Sequence, residues 1–189
     1  RERLETIREV YPNDVEAGLA LANVYERIAK LEKDVAFLVK SDQSITRVLE
    51  LSGALQADRV EALALRGRNL KTMWRWDCEV FDTLAERRAR ATNQRLRDSY
   101  AAYRDAFQHD QNHFWSGLGA HQMGTILYDL SGTEVNAWRQ SFDEDDQADA
   151  ARVALKREID LLGHAVRASV EADLSRQGKG SAGALWARV

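Results

Sequence analysis

The chain has 189 residues, a net charge of −3, 44% hydrophobic and 30% charged residues. A chain of this length can bury a substantial core, and its near-balanced charge does not draw it to nucleic acid or an anionic membrane. The single cysteine, Cys78, excludes an internal disulfide framework, and no apolar run reaches the ~20 residues that span a bilayer.

One proline, few β-branched runs and abundant Ala, Leu, Arg and Glu favour helix throughout. No secretory signal is visible, so the cytoplasm is the expected location. The first residue is Arg1 rather than methionine, which suggests a piece of a longer protein.

In chain order, residues 1–10 form a charged amphipathic stretch with Leu4, Ile7 and Val10 on one side. The Tyr11-Pro12-Asn13-Asp14 turn breaks it, and Asn13 with Glu16 has the spacing of a capping box. From Val15 helical spacing runs through Leu19, Ala22, Tyr25, Ile28 and Leu31. Leu21-Ala22 followed by Tyr25 matches the core of a first tetratricopeptide helix. The helical pattern continues over 30–40, and the polar cluster Ser41-Asp42-Gln43-Ser44 reads as a turn. Ile45, Val48, Leu49 and Leu51 mark another helix, ended near Gly53, with Asp58 as the cap of the next.

That next helix carries Val60, Leu63, Gly67, Leu70 and Trp74 on one face and ends near Trp76. A glycine inside a helix costs about 1 kcal/mol relative to alanine, which a chain tolerates where another element must pass close by. Setting Gly67 as the small first-helix position brings Leu49 and Ser52 into the partner-helix positions of a repeat of about 34 residues. Residues 77–91 read as an inserted helix, followed by the basic run Arg87, Arg88, Arg90, Arg95 and Arg97, and Thr92 or Asn93 can cap the helix after it.

The stretch from Leu96 to Leu130 reads as two helices and a polar bend. Tyr100, Tyr103, Ala106 and Phe107 share a face of the first; Asn112 is the expected cap of the second, which carries Phe114, Trp115, Gly117, Leu118, Met123 and Leu127. Alternating small and aromatic residues let helix axes approach closely, as in helical hairpins of the tetratricopeptide type. Ser131-Gly132-Thr133 reads as a stop, Glu134 to Phe142 as a short element, and Asp143 to Asp146 as the acidic first turn of a long helix to about Leu174. A flexible loop is expected over 175–183, with another helix beginning at Ala184.

Two segments carry a family resemblance. Gly67-Arg68 with Lys71 and Trp74 is similar to a Gly-Arg-x-x-Lys-x-x-aromatic segment. Tyr103-x-x-Ala106-Phe107-x-x-Asp110, followed by Phe114-Trp115-Ser116-Gly117-Leu118, is similar to an aromatic-x-x-small-Phe … aromatic-x-x-Gly segment. Both occur, in this order, in the tetratricopeptide-like TRAF-binding domain of the apoptosis signal-regulating kinases and in related bacterial multidomain proteins. The resemblance covers roughly residues 12–130. It implies an all-α superhelix used for protein contact and for regulating attached effector domains, and it brings no catalytic residues. The chain departs from it at Gln111, where proline is usual, and at Gly119, where asparagine is.

The expected architecture is therefore all-α: one tetratricopeptide-like helical-hairpin array, an α-solenoid over 1–189 with one main continuous core. Expected packing residues are Ala22, Tyr25, Gly67, Leu70, Tyr103, Ala106 and Gly117. Candidate partner contacts are Arg68, Lys71, Trp74 and Trp115. The expected role is a non-enzymatic scaffold for a protein partner or flanking domains, in signalling or defence. The alternatives are a homo-oligomerisation module or a nucleic-acid binder using the arginine run 87–97.

Other motifs are weaker. His109 and His113 are four apart but straddle the bend, so no metal site is expected. Cys78 has no partner motif for nucleophilic chemistry. Gly178, Gly180 and Gly183 spell GxGxxG after a helix instead of a strand, which denies it the phosphate-cradling context. The acidic residues of 143–149 lack the glycine and terminal glutamate of a calcium loop. No catalytic residues and no cofactor are expected.

Overall fold

The computed structural model describes residues 2–51 and 53–177. Among these are nine α-helices and no strand: α1 (Glu2–Val10), α2 (Val15–Glu32), α3 (Val35–Glu50), α4 (Gln56–Glu79), α5 (Leu84–Ala91), α6 (Gln94–His109), α7 (Phe114–Thr133), α8 (Val135–Arg139) and α9 (Asp145–Gln177). Three hairpins follow one another, α2 on α3, α4 on α6 and α7 on α9, and α3–α4 and α6–α7 contacts stack them. The chain is an all-α array of the tetratricopeptide type. No described helix is long and apolar enough to cross a membrane.

Several element ends differ from the expectation. The cap of α2 is Asp14, not Asn13: its Oδ1 accepts the Ala17 N–H at 2.9 Å. The helix expected across 30–40 is broken at Lys33, whose φ of 51° is left-handed, and Asp34 then caps α3 through the Ala36 N–H. The polar cluster at 41–44 is not a turn but part of α3, with Ser41 and Ser44 on its buried face. Ser41 Oγ donates to the Ala22 carbonyl at 2.7 Å and Ser44 Oγ to that of Lys40 at 3.1 Å, so small hydroxyls satisfied by backbone sit where apolar side chains would otherwise lie. Asp58 lies inside the first turn of α4 and accepts the Leu55 N–H at 3.0 Å. α4 continues past Trp76 to Glu79, which shortens the inserted helix to α5; a Thr83–Glu86 capping box starts it. Asn93 caps α6. Asn112 does not cap α7; it lies in a turn whose Asp110 carboxylate accepts the Asn112 N–H at 2.9 Å. α7 runs through Gly132 because Ser131 is buried and internally bonded to the Tyr128 carbonyl at 2.6 Å. α9 reaches Gln177, so the first three residues of the segment expected as a loop over 175–183 are helical. Residues 178–183, and the helix expected from Ala184, lie outside the described residues.

The core is divided. One cluster joins α6, α7, α8 and α9 around Leu96, Tyr100, Phe107, Met123, Leu127 and Trp138. A second joins α2, α3 and α4 around Ala22, Ile45, Val48, Ala62 and Leu65. The expected single core is interrupted by a polar seam along α4. Asn69 Nδ2 donates to Ser41 Oγ at 2.7 Å, and Ser99 Oγ donates to the Gly67 carbonyl at 2.8 Å. The Asn69 amide N–H, the two serine hydroxyls and the Gly67 carbonyl are all paired, which limits the cost of the seam, while Asn69 Oδ1 is buried without a hydrogen-bond partner among the described residues.

Two hairpins carry an extra helix in their connection, α5 between α4 and α6 and α8 between α7 and α9. A tryptophan pins each connection. Trp74 Nε1 donates to the Ala91 carbonyl at 2.8 Å, and Trp138 Nε1 to that of Ala148 at 2.9 Å.

Candidate partner-binding groove

The first helices of successive hairpins, α2, α4 and α7, lie side by side. Between α4 and α7 opens a groove of about 690 Å³ lined by Lys71, Tyr103, Trp115, Leu118, Gly119 and neighbours on α7. Its floor is Tyr103 of α6. The ring stands between two glycines: a Cβ on Gly67 would lie 2.7 Å from it, and one on Gly119 would lie 2.9 Å from it. No larger residue fits either position with this ring in place, so the departure to glycine at 119 is matched by the tyrosine it faces. Burial pushes the Tyr103 phenol up to about 12, so it stays neutral.

The α4 wall is cationic. Arg68 Nη2 donates to Asn23 Oδ1 at 2.7 Å, and its Nε stands 3.3 Å from Glu26 Oε1. Glu26 is only 3% exposed and also meets Lys30 one turn along α2; neither contact to this oxygen has hydrogen-bond geometry. Arg75 pairs with Glu79 at 3.3 Å. Lys71 has no carboxylate partner among the described residues. Its Nζ lies 5.7 Å from the Tyr103 ring centroid. Burial first, then the charges of Lys30, Arg75 and Arg68, holds its pKa below the usual lysine value.

The α7 wall presents the apolar side chains Trp115, Leu118 and Ile126, with His121, Gln122 and Thr125 among them. Trp115 is 48% exposed and Leu118 39% exposed, large side chains held at the surface by a helix whose opposite face is packed. Trp115 leans on Phe114, with centroids 4.7 Å apart. The start of α7 is tied to α4 by His113 Nε2, 3.6 Å from Glu61 Oε2, and His113 Nδ1 is 2.8 Å from Ser116 Oγ. The His113 imidazole beside it holds the Glu61 carboxyl below the usual carboxylate range against the opposing effect of burial.

The structure lines the groove with two of the four candidate contacts, Lys71 and Trp115, while Arg68, one turn from Lys71 on α4, reaches Asn23 and Glu26 of α2. It places Trp74 elsewhere, with its indole bonded to Ala91 and its ring on the wall of a second cavity of about 360 Å³ that also has Cys78, Ile126 and Leu130. Of the expected packing residues, Ala22, Tyr25, Tyr103, Ala106 and Gly117 are buried, and Leu70 is half-buried. A Cβ on Gly117 would stand 2.6 Å from Val166 and 2.9 Å from the Phe107 ring, a close approach of α6, α7 and α9. Sequence reasoning passed over Glu26 and Asn23. Glu26 lies four residues after Ala22, inside the buried stripe of α2, and a carboxylate there was a visible signal of a buried pair.

The arginine run does not form one basic face. Arg95 pairs with Asp77, Arg97 stacks on Trp138 with its guanidinium carbon 4.8 Å from the ring centroid, and Arg87 Nε donates to the Phe81 carbonyl at 2.6 Å. His109 and His113 sit on either side of the bend, and no group of three or more His, Cys, Asp or Glu among the described residues is placed to hold a metal. Burial and Asp77 push the Cys78 thiol up, the opposite of nucleophile activation. Gly178, Gly180 and Gly183 lie outside the described residues.

No curated protein and no solved structure matches the chain. A family model described as Tetratricopeptide Repeats-Sensor matches residues 1–123, from α1 into α7, which takes in Lys71, Tyr103, Trp115 and Leu118 of the groove. Hairpins stacked by small residues, a groove between first helices and this match lead to one assignment: the chain belongs to the Tetratricopeptide Repeats-Sensor (TPR-S) family.

Proposed function

We propose that this chain is a non-enzymatic scaffold of the cytoplasm that binds a protein partner and so recruits it to, or regulates, effector domains in signalling or defence. Tetratricopeptide-type repeats generally mediate protein–protein contact. The observation that carries the reading is the α4–α7 groove, where Trp115 and Leu118 stand exposed opposite Lys71. A surface aromatic beside a charged wall is the composition of an interface anchor. The resemblance to the TRAF-binding domains of signal-regulating kinases points to the same kind of role.

The test mixes the purified chain with the domains that flank it in its full-length protein and with candidate partners. A complex is expected, with a change in effector output, and Trp115→Ser combined with Leu118→Ser abolishes both. No complex and no change in output with the parent chain would overturn the reading.

A second reading is supported by the outer face of α9, where Val153 and Leu161, eight residues apart, are 63% and 65% exposed. An array whose last described helix shows apolar side chains can continue into a second copy of itself. Light scattering that finds only monomer at high concentration would remove it.

A further inference from the structure

We infer that Lys71 anchors an acidic segment of a partner protein, laid along the α4–α7 groove with a carboxylate on its ammonium and an adjacent large apolar side chain on Trp115 and Leu118. This rests on the scaffold reading and names the partner's chemistry.

Each of the three cations that Lys71 feels already has an acid. Lys30 and Arg68 share Glu26, and Arg75 has Glu79. Lys71 has none among the described residues, although it is half-buried and feels Lys30, Arg68 and Arg75. Among the described residues its close favourable neighbour is the Tyr103 ring at 5.7 Å. A half-withdrawn ammonium facing like charges is a local cost to the free chain, and such costs gather at binding sites. A carboxylate delivered from outside removes it. Methionine at this position would also remove it, so the lysine brings the folded chain itself little.

The count of uncommitted charges selects the ligand class. One cation is complementary to one carboxylate, whereas a di- or triphosphate needs several donors. α7 has no lysine or arginine, and His121 is the sole basic side chain on its part of the lining. The apolar wall then calls for an apolar neighbour in the same segment. A protein segment alternating Glu or Asp with Trp, Phe or Leu meets both walls at once.

The test uses the 189-residue chain and labelled nine-residue Gly/Ser peptides carrying a central Glu-Trp, Glu-Leu or Asp-Phe pair. Each has a twin with Gln or Asn in place of the acid, and anisotropy reads the binding. Acidic peptides are expected to bind at least tenfold more tightly than their twins. Lys71→Met is expected to melt at or above the parent temperature, which shows that the fold is kept, and to lose that preference. Lys71→Glu is expected to reverse it toward peptides with Lys in the acid position. Equal binding of acid and amide twins, a Lys71→Met variant that still discriminates, or binding of ATP or polyphosphate with no peptide binding would each overturn the inference. If a protein partner binds and Lys71→Met leaves it bound, the inference fails while the scaffold reading stands. If no protein binds at all, both fail.

Discussion

Gly67→Ala sets helix propensity against packing, because the two effects have opposite signs at this position. In a solvent-facing helix the change stabilises by about 1 kcal/mol, since alanine gives up less backbone freedom on folding. At position 67 the new carbon would stand 2.7 Å from Tyr103 Cγ, with two further ring carbons at 2.8 and 2.9 Å. Carbon contacts are comfortable at about 3.5–4.0 Å, so the ring would have to retreat by about 1 Å. The retreat is blocked, because Gly119 already brings α7 against the other side of the same ring. Overpacking of this kind costs about 1–3 kcal/mol, and a ring held from both sides belongs at the top of that range. Subtracting the propensity gain leaves a net loss of about 2 kcal/mol, a fall in Tm of about 4–8 °C for a chain of this size. Urea denaturation with an unchanged m-value is the assay, because it assigns the loss to the folded state. Gly53→Ala is the control: its Cβ meets nothing within 4 Å, so the expected change is neutral or slightly stabilising. Gly67→Ala with Tyr103→Leu is expected to lose less than the sum of the single changes, because the ring is the obstacle. A Gly67→Ala chain as stable as the parent would refute the claim that the two glycines set the helix spacing.

Two further outcomes test the surroundings of the groove. Trp74→Phe removes the N–H that meets the buried Ala91 carbonyl, so a loss of about 1–3 kcal/mol and faster hydrogen exchange across α5 are expected; unchanged exchange there would count against the pin. The folded-state pKa of Glu61 is depressed, chiefly by His113, so the stability given by the ionised carboxylate is complete above the unfolded value of about 4.3 and is lost as pH falls through the lower folded value. Glu61→Gln should flatten this acid limb, and parallel pH profiles for parent and variant would contradict the His113 contact.

Helix order and the small–aromatic stacking were legible because they are written in local spacing. The Gly67 spacing and the Tyr103–Ala106–Phe107 face each lie within one or two turns and need no knowledge of what packs on them. The misreadings have a common cause. Ser41 to Ser44 looks like a loop in one dimension, and only the Ala22 carbonyl, brought close by the hairpin, explains serines on a buried face. The arginine run looks continuous because sequence does not show that Asp77 and Trp138 draw two of its members away. The cationic and apolar walls stand on helices more than forty residues apart in the chain. Lys71 and Trp115 could be named one by one, but not as the lining of a single groove without Arg68 and Trp74.

The extra helices α5 and α8 both fall in the connection between the two arms of a hairpin, and an indole clamps each of them to the backbone. Spare length is thereby stored at the joints, outside the stacked rods. Sequence can be added or removed at such a joint while the rods keep their pitch, provided the clamp is left intact. A chain built this way can vary its rim between relatives and leave the groove at its centre unaltered.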